Sequence, residues 1–295
     1  MKRATVLHEF ATAALKRAKD LRSRTDPNSL YQEALLFEKR DFTGALLAPG
    51  LSVISEIKRA SPSAGFIRDV DPTEWGARYE LEGAGCLSVL TEPERFQGSL
   101  EDLDAVRNST TVPVLRKDFT VDEVQVLETG TRSDAVLLIA ALFEAAALAR
   151  YISLAVEVGL TPLVEIHDEE EANLALQSGA RVIGVNNRDL RDFTLDLGTF
   201  ERLAPEIAGS ILVAESGIKN PEDAKRLRDA GADAVLVGEA AMRDPGLVAR
   251  LAFLHYRRFA NRPVSGARQC EAEARAFSEV ALDIASTSAP PSLGL

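Results

Sequence analysis

Residues 52–58 read SVISEIK, an apolar run of strand length that ends on charged side chains. Similar runs, rich in Val, Ile and Leu, recur along the chain, and the segments between them are long enough for a helix. The others are CLSVLTE (86–92), VPVLRKD (112–118), DAVLLIA (134–140), LTPLVEIH (160–167), ARVIGVNN (180–187), SILVAES (210–216) and DAVLVGE (233–239). Eight such runs predict eight parallel strands joined by crossover helices, an α/β fold of the (β/α)₈ or TIM-barrel type.

Polar residues mark the carboxyl ends of several runs. Parallel strands covered on both faces are expected to be almost wholly apolar, so a Glu or Lys at a strand end needs an explanation. In a closed parallel barrel those ends meet at one rim, where barrels of this type carry their active sites. The sequence therefore predicts a site at that rim.

The 295-residue chain is longer than the barrel needs, since such barrels take about 250 residues. We expect an N-terminal helical extension over residues 1–50, the barrel over 51–259 and a C-terminal extension over 260–295. Apolar residues at helical spacing between Val6 and Leu21 predict an amphipathic helix, and Asp26-Pro27 reads as the start of a second. These helices are expected to cover one end of the barrel. In the C-terminal extension we expect a short helix over 277–284 and a disordered tail.

Composition limits the partners of this protein. A net charge of −11 argues against nucleic acid or an anionic membrane, because both reward a basic surface. No apolar stretch reaches the roughly 18 residues of a membrane span, and the N-terminus lacks the apolar core of a secretory signal. Cys86 and Cys270 lie far apart, and the three histidines are scattered, so no disulfide framework or zinc site is expected. These features predict a cytoplasmic protein.

The first run supplies two charged residues to the predicted rim. Glu56 and Lys58 are two positions apart and so lie on the same side of the strand. If that side faces the barrel axis, a carboxylate and an ammonium share one low-dielectric mouth and shift each other's pKa. The alternative is a buried salt bridge that only fixes strand packing. The loop that follows offers the Ser61 hydroxyl and, at Gly65, close backbone approach to a ligand.

Three later runs add further groups of the same kind. Lys117 would bring a second ammonium to the rim, unless it is a surface lysine paired with Asp118. Glu165 emerges from an apolar run, as does Glu215, which is followed by Ser216; each glutamate is either a desolvated acid/base or a partner for a cation. His167 is a rival acid/base, ranked lower because it belongs to the loop that enters the next helix.

The remaining strand ends offer groups that bind anions or hydroxyls. Asn186 has donors and an acceptor without charge, which suits a sugar hydroxyl or a carboxylate. Arg188 either grips an anion or pairs with Asp189. Gly217 and Gly238 follow the seventh and eighth strands, where such barrels commonly bind phosphate through backbone N–H groups.

Taken together, these motifs resemble those of the indole-3-glycerol phosphate synthase family. The resemblance implies a cytoplasmic (β/α)₈ carboxy-lyase of tryptophan biosynthesis that uses no cofactor and no metal. It further implies ring closure, decarboxylation and dehydration of 1-(o-carboxyphenylamino)-1-deoxyribulose 5-phosphate to indole-3-glycerol phosphate. The motifs are EIKRASPSAGF (56–66), SVLTE (88–92), VLRKDF (114–119), LLIAA (137–141), LVEIH (163–167), GVNNRDL (184–190) and ESGI (215–218).

The resemblance also implies a role for each site residue. Lys117 is the expected general acid of ring closure, with Lys58 holding the carboxylate and sharing the acid role in a proportion left open. Glu165 is the expected acid/base of dehydration, and Glu56 would orient the lysines and the substrate hydroxyls. The expected substrate contacts are Asn186, Glu215, Ser216 and Arg188, with Phe66, Phe119 and Leu138 around the aromatic ring. The expected phosphate contacts are Ser61, Gly217, Gly238 and the backbone at Glu239.

Two rival functions follow from other features. A phosphoribosyl anthranilate isomerase would need a thiol beside a carboxylate, but Cys86 begins its strand and so lies at the opposite rim. A non-catalytic relative that binds a phosphorylated ligand would have lost charged strand-end residues, and each of these positions is filled. We expect a monomer, with a weak homodimer as the alternative. Whether the enzyme serves tryptophan synthesis itself or a specialised indole pathway is left open.

Overall fold

A computed structural model of the chain describes residues 6–189, 193–244 and 246–260. Within these ranges eight parallel strands form a closed barrel, in which the first strand pairs with both the second and the last, so the predicted fold is confirmed. The strands are β1 (Ser52–Ile57), β2 (Cys86–Leu90), β3 (Val114–Lys117), β4 (Ala135–Ile139), β5 (Thr161–Ile166), β6 (Val182–Asn186), β7 (Ile211–Glu215) and β8 (Ala234–Val237). Each lies within one of the apolar runs that predict it.

Helices surround the barrel and occupy most of the segments between its strands. They are α1 (Val6–Arg24), α2 (Pro27–Leu36), α3 (Phe42–Leu46), α4 (Pro72–Leu81), α5 (Leu100–Ser109), α6 (Glu123–Gly130), α7 (Ala145–Glu157), α8 (Glu169–Gln177), α9 (Gly198–Leu203), α10 (Pro221–Asp229), α11 (Glu239–Arg243) and α12 (Leu247–Ala260). Within the described ranges, no helix has the length and apolar character needed to cross a membrane.

Side-chain caps fix where several helices begin. Asp26 accepts hydrogen bonds from two backbone N–H groups in the first turn of α2, and Asp71 does the same for α4. Asn220 accepts one such bond at α10. Each of these three helices has proline at its start, where the missing N–H costs no intrahelical hydrogen bond. These local signals separate helix from strand without help from the rest of the fold.

Two apolar layers hold the barrel together, and strand alternation assigns each residue to one of them. Ile54, Leu115, Leu163 and Val213 belong to the cluster inside the barrel. Their strand neighbours pack outward against the helices, as Val53 does. Because side chains alternate, the residue two positions beyond each inner one also points inward. On these four strands that position holds Glu56, Lys117, Glu165 and Glu215, which is how the fold positions the site.

The N-terminal helices pack against the barrel at both of its ends. Phe42 and Leu46 of α3 join the inner cluster, and α3 lies beside Gly85, at the start of β2. Phe10 of α1 joins the same cluster but contacts Phe119, beyond the carboxyl end of β3. The helix and tail that the sequence predicts after residue 260 lie outside the described residues.

Candidate active site

A cavity of about 580 Å³ opens at the carboxyl ends of the strands, a volume suited to a small-molecule substrate. Its walls come from strand ends and from the loops that follow them, so residues far apart in sequence share one space. The predicted site residues that line it are Glu56, Lys58, Ser61, Lys117, Phe119, Glu165, Asn186, Arg188, Glu215, Ser216, Gly217, Gly238 and Glu239.

Lys117 stands between two buried carboxylates in this cavity. Its Nζ lies 2.6 Å from Glu165 Oε2 and 2.6 Å from Glu215 Oε2. Asp118, the next residue, points the other way and pairs with Arg17 of α1 at 2.8 Å and with Arg116 at 3.3 Å. Strand alternation therefore turns Lys117 into the barrel, and the surface pair with Asp118 that the sequence also allowed does not form.

A single ammonium facing two carboxylates makes their proton affinities unequal. Burial raises the pKa of Glu165, but the attraction of Lys117 and His167, together with hydrogen bonds from Lys117 and Asn186, outweighs it and holds that pKa below its usual range. Burial raises the pKa of Glu215 to about 7, because Lys117 offsets it only in part and the charge of Glu165 adds to it. Burial lowers the pKa of Lys117, yet the two carboxylates outweigh it and raise that pKa. Lys117 is thus an ammonium in the free protein.

The charged pair on β1 forms a second part of the site. Lys58 Nζ donates to Glu56 Oε1 at 2.7 Å, and the Ser88 hydroxyl reaches Glu56 Oε2 at 3.4 Å. Gly238 makes room for this pair, since an added Cβ would overlap Glu56 Oε1 and lie 2.7 Å from Lys58 Nζ. The glycine predicted for phosphate binding therefore also allows the β1 pair to face the cavity.

Asn186 holds Glu165 in place and so links two strands. Its Nδ2 donates to Glu165 Oε1 at 3.1 Å, and its Oδ1 accepts from the backbone N–H of Arg188 at 3.0 Å. The Arg188 guanidinium in turn donates to the carbonyl of Phe193 at 3.3 Å. These bonds fix the loop after β6 beside the Glu165 carboxylate.

The loop after β7 forms one wall of the cavity with an unusual backbone. Ser216 has φ 65° and Gly217 has φ 86°, so two consecutive residues lie in the left-handed region. That conformation is unfavourable for a serine, and such strain concentrates at functional sites. Lys219 and Arg243 line the same wall and add two cations that the sequence analysis did not predict.

Two predicted aromatic-pocket residues do not reach the cavity. Leu138 is buried in the outer layer between strands and helices, and the cavity is lined instead by its neighbours Leu137 and Ile139. The prediction for Leu138 was wrong because β4 carries no polar residue that would reveal which of its faces points inward. Phe66 sits on a two-residue strand of a hairpin in the loop after β1, where its side chain is 62% exposed to solvent. It does not line the cavity.

Aromatic residues that the sequence analysis missed take their place. Phe10 stacks on Phe119 with ring centroids 4.4 Å apart, and Phe96 lies 6.4 Å from Phe119. Phe10 belongs to the N-terminal helix, whose apolar face is visible in the sequence although its partner is not. Phe96 follows β2 in a turn held by the Glu92 carboxylate, which accepts its backbone N–H at 3.0 Å.

His167 lies just behind the cavity rather than in its wall. Its Nδ1 is 3.0 Å from Glu171 Oε2, and its Nε2 is 3.5 Å from Glu165 Oε1. It sits in the short loop before α8, as the sequence predicts.

The rival chemistries have little support in the described residues. Cys86 is buried at the first position of β2, at the end of the barrel opposite the cavity, so no thiol faces the carboxylates there. Among the residues that the structure describes, no cluster of His, Cys, Asp and Glu has the arrangement needed to hold a metal ion.

Comparisons with known proteins agree on one family. The family model described as indole-3-glycerol phosphate synthase matches residues 7–253. The indole-3-glycerol phosphate synthase of Rhodococcus jostii is 52% identical over 202 residues, covering 68% of this chain and 75% of that protein. Indole-3-glycerol phosphate synthase 1 of Streptomyces coelicolor is 51% identical over 211 residues, covering 70% and 78%. The corresponding synthase of Mycobacteroides abscessus is 48% identical over 217 residues, covering 72% and 80%.

A solved structure of a protein with a different name shares the fold. Thiamine phosphate pyrophosphorylase from Pyrococcus furiosus matches with a TM-score of 0.53 and 19% sequence identity, covering 72% of this chain and 98% of that one. At that identity the likeness concerns the barrel architecture alone.

Proposed function

The chain belongs to the indole-3-glycerol phosphate synthase family, and we propose that the cavity at its barrel rim closes the indole ring by lysine and glutamate acid–base catalysis. The enzyme is a carboxy-lyase of tryptophan biosynthesis. It converts 1-(o-carboxyphenylamino)-1-deoxyribulose 5-phosphate to indole-3-glycerol phosphate with loss of carbon dioxide and water. The observation that carries the proposed mechanism is the buried Lys117 ammonium held between Glu165 and Glu215.

Ring closure needs an acid at the substrate ketone. As the aryl carbon attacks, the ketone oxygen gains negative charge and must be protonated. Lys117 supports this role because it is an ammonium in the free protein and its side chain is only 13% exposed. The transfer leaves a hydroxyl on the new ring and a neutral amine on Lys117.

Lys58 is proposed to hold the substrate carboxylate until it leaves as carbon dioxide. Its ammonium faces the cavity and is oriented by Glu56, which is itself held by Ser88. Lys58 and Lys117 are two ammonium groups of one cavity, so both are candidates for the acid role. How the two lysines share the acid role is left to experiment.

Dehydration needs a group that delivers a proton to the leaving hydroxyl, together with a base for the ring proton. Glu165 is proposed as the acid/base of this step, supported by its contacts with Lys117 and Asn186. Glu215 and Ser216 are proposed to position the substrate hydroxyls, and Asn186 to orient Glu165 as well as the substrate.

The phosphate is proposed to bind at the wall formed by the loops after β7 and β8. Backbone N–H groups at Gly217, Gly238 and Glu239 are available there, and the Ser61 hydroxyl lines the same cavity. Lys219 and Arg243 supply charge that compensates for the net −11 of the chain. Arg188 is proposed to stand near the phosphate. The aromatic ring would pack on Phe119, Phe10, Phe96 and Leu137.

We also propose that the enzyme works as a monomer in the cytoplasm on its small phosphorylated substrate. All the site residues named above come from one chain, so the cavity needs no second copy to be complete. Light scattering after size exclusion separates this proposal from the weak homodimer.

The decisive experiment supplies the anilino-ribulose phosphate to the purified chain and follows indole fluorescence. We expect fluorescence to rise with turnover, and we expect EDTA to leave the rate unchanged because the lysines provide the acid and the charge. Phosphoribosyl anthranilate serves as the control substrate. Consumption of that compound without indole formation would support the isomerase alternative and contradict this proposal.

A further inference from the structure

A chain of three side chains runs from the cavity to the start of α8. Glu165 faces the cavity, His167 lies behind it and Glu171 lies beyond the histidine. The His167 side chain is 7% exposed, and that of Glu171 is 17% exposed. The proposed mechanism uses only the first of the three, so a buried imidazole beside a catalytic carboxylate needs a function of its own.

Hydrogen bonding determines which nitrogen of His167 carries a proton in every state. Glu171 Oε2 accepts the backbone N–H of His167 at 2.8 Å and lies 3.0 Å from Nδ1. Because a carboxylate accepts and does not donate, Nδ1 carries a hydrogen. The variable proton is therefore the one on Nε2, which faces Glu165.

The Nε2 atom is buried and has no hydrogen-bond partner among the described residues. Its nearest acidic atom is Glu165 Oε1, at 3.5 Å. A lone pair on Nε2 facing an ionised carboxylate would be repelled, whereas one proton between them satisfies both groups. Hydrogen bonds of this kind are often long in free enzymes and shorten when substrate is bound.

The charges around His167 favour its protonated form. Carboxylates face it from β5 (Glu165) and from α8 (Glu171), and Glu215 of β7 adds a more distant negative charge. Burial lowers the pKa of His167, but the hydrogen bond to Glu171 and these charges outweigh it, so that its pKa is raised. The arrangement resembles the carboxylate that orients and stabilises an imidazolium in hydrolase triads.

The proposed reaction needs a proton from outside the substrate. One proton goes to the ketone oxygen and one to the leaving hydroxyl, while only one returns from the ring carbon. The missing proton corresponds to the loss of an ionised carboxyl group as neutral carbon dioxide. Glu165 cannot store it at neutral pH, because its pKa is held below the usual range.

We propose that His167 stores this proton and passes it to Glu165 during dehydration. His167 is thus a positioning residue that supplies the proton through Glu165. The inference rests on the acid/base role proposed above for Glu165. The trigger is Lys117: once it has protonated the ketone, its neutral amine no longer stabilises the Glu165 carboxylate. The Nε2–H bond then breaks and the Oε1–H bond forms.

The remaining bonds and charges balance. Oε1–H gives its proton to the hydroxyl, which leaves as water with the electron pair of the C–O bond. The C–H electron pair on the ring becomes the indole double bond, and the Lys117 amine takes that proton and recovers its charge. His167 is left neutral with hydrogen on Nδ1, and Nε2 is recharged from water once the product has left.

The test measures the single-turnover rate of indole formation across pH for the full chain and three variants. Single turnovers are used so that product release does not mask the chemistry. Because the imidazolium is the active form, the wild-type rate should fall as pH rises through the pKa of His167. Glu171→Gln removes the charge that favours the imidazolium, so this fall should move to lower pH. Glu170→Gln changes an exposed neighbour on α8 and is the matched control. It should leave the pH at which the rate falls unchanged.

His167→Gln should lower the single-turnover rate about tenfold or more, leave KM nearly unchanged and abolish this fall with pH. Loss of rate with the pH profile unmoved in both His167→Gln and Glu171→Gln would indicate a structural role and overturn the proposal. If His167→Gln does not fold, the direction of the Glu171→Gln shift decides. Failure of the wild-type chain to form indole would instead contradict the proposed function, so the two failures are distinguishable.

Discussion

The Lys117 ammonium lies 2.6 Å from both Glu165 and Glu215, so one positive charge serves two buried negative ones. Buried ion pairs contribute little net stability, but removing one partner leaves an uncompensated charge that is costly. Here the costly cation also serves the proposed chemistry. Lys117 makes the proton affinities of Glu165 and Glu215 unequal, and it is the proposed proton donor. Stability and catalysis therefore depend on the same atom.

Lys117→Ala should abolish turnover while the barrel still folds. Loss of a general acid lowers the rate by about 10²-fold or more. Without the ammonium both carboxylates stay desolvated and lose the attraction of Lys117, which raises their pKa in the folded state above the unfolded value of about 4.3. A raised folded pKa stabilises the fold below the unfolded value, and this contribution is lost as pH rises. The free energy of unfolding, measured in urea, should therefore be higher near pH 5 than near pH 8.

The control is Lys225→Ala, which removes an exposed lysine paired with Asp229 on α10 and should change neither quantity. Substantial turnover in Lys117→Ala would rule out its role as the acid. Equal stability at the two pH values would show that Glu165 and Glu215 find other partners.

At this scale the sequence predicts charged site residues better than apolar ones. Lys117 and Glu165 could be predicted because a charge on a buried strand has to face a cavity or a partner. Leu138 could not, because every residue of DAVLLIA near it is apolar and the inward face of β4 is unmarked. A register taken from β5 resolves it: Ile139 pairs with Glu165, which faces inward.

Among the elements, β6 shows how a strand makes room for chemistry carried by its neighbour. An added Cβ on Gly184 would overlap Glu215 Oε1 and lie 3.3 Å from Leu163 Cδ1. Gly184→Ala should therefore displace the Glu215 carboxylate from Lys117. Small displacements of this kind cost up to about 10²-fold in rate, whereas a flexible carboxylate moves at little cost in stability. We expect a fall in kcat with a melting temperature close to that of the wild type.

Gly76→Ala on α4 is the matched control, since its Cβ would lie 3.2 Å from Val106 Cγ1 in the helical layer, away from the cavity. It should leave kcat unchanged. A wild-type kcat in Gly184→Ala would mean that Glu215 needs no fixed position.

Helix α1 adds a wall to the cavity that the strands do not supply. Phe10→Ala removes a ring that stacks on Phe119 with an interplanar angle of 9°. Loss of this wall should raise KM about tenfold, and loss of buried aromatic surface should lower the melting temperature. Leu15→Ala on the same helix, where Leu15 is 42% exposed, should change neither value. An unchanged KM in Phe10→Ala would place the substrate ring elsewhere.

The amphipathic pattern of α1 is readable in the sequence, but the surface it covers is not. Periodicity shows which face of a helix is buried and says nothing about what buries it. Phe10 and Phe119 are far apart in the sequence, and their contact exists only after the barrel has closed. The same reason explains why Phe96, Lys219 and Arg243 escaped prediction.

For the whole molecule, the fold could be predicted from the sequence because repetition makes the signal redundant. Eight apolar runs agree on one architecture, and caps at Asp26, Asp71 and Asn220 mark helix starts independently. Closure then brings the strand ends to one rim without further information. Closure does not reveal the arrangement of side chains within the rim. There Lys117 pairs with two carboxylates, and His167 lies behind one of them, Glu165.

The residues that carry the site limit how much of the chain the activity needs. They lie between Phe10 and Arg243, the family match covers residues 7–253, and α12 ends at Ala260. A chain ending at Ala260 should therefore keep kcat and KM within about twofold of the full-length values. A chain that lacks residues 1–20 should lose the Phe10 ring and the Arg17–Asp118 pair, and its KM should rise. Steady-state kinetics on both truncations test this, and a C-terminal truncation that loses activity would contradict the expectation.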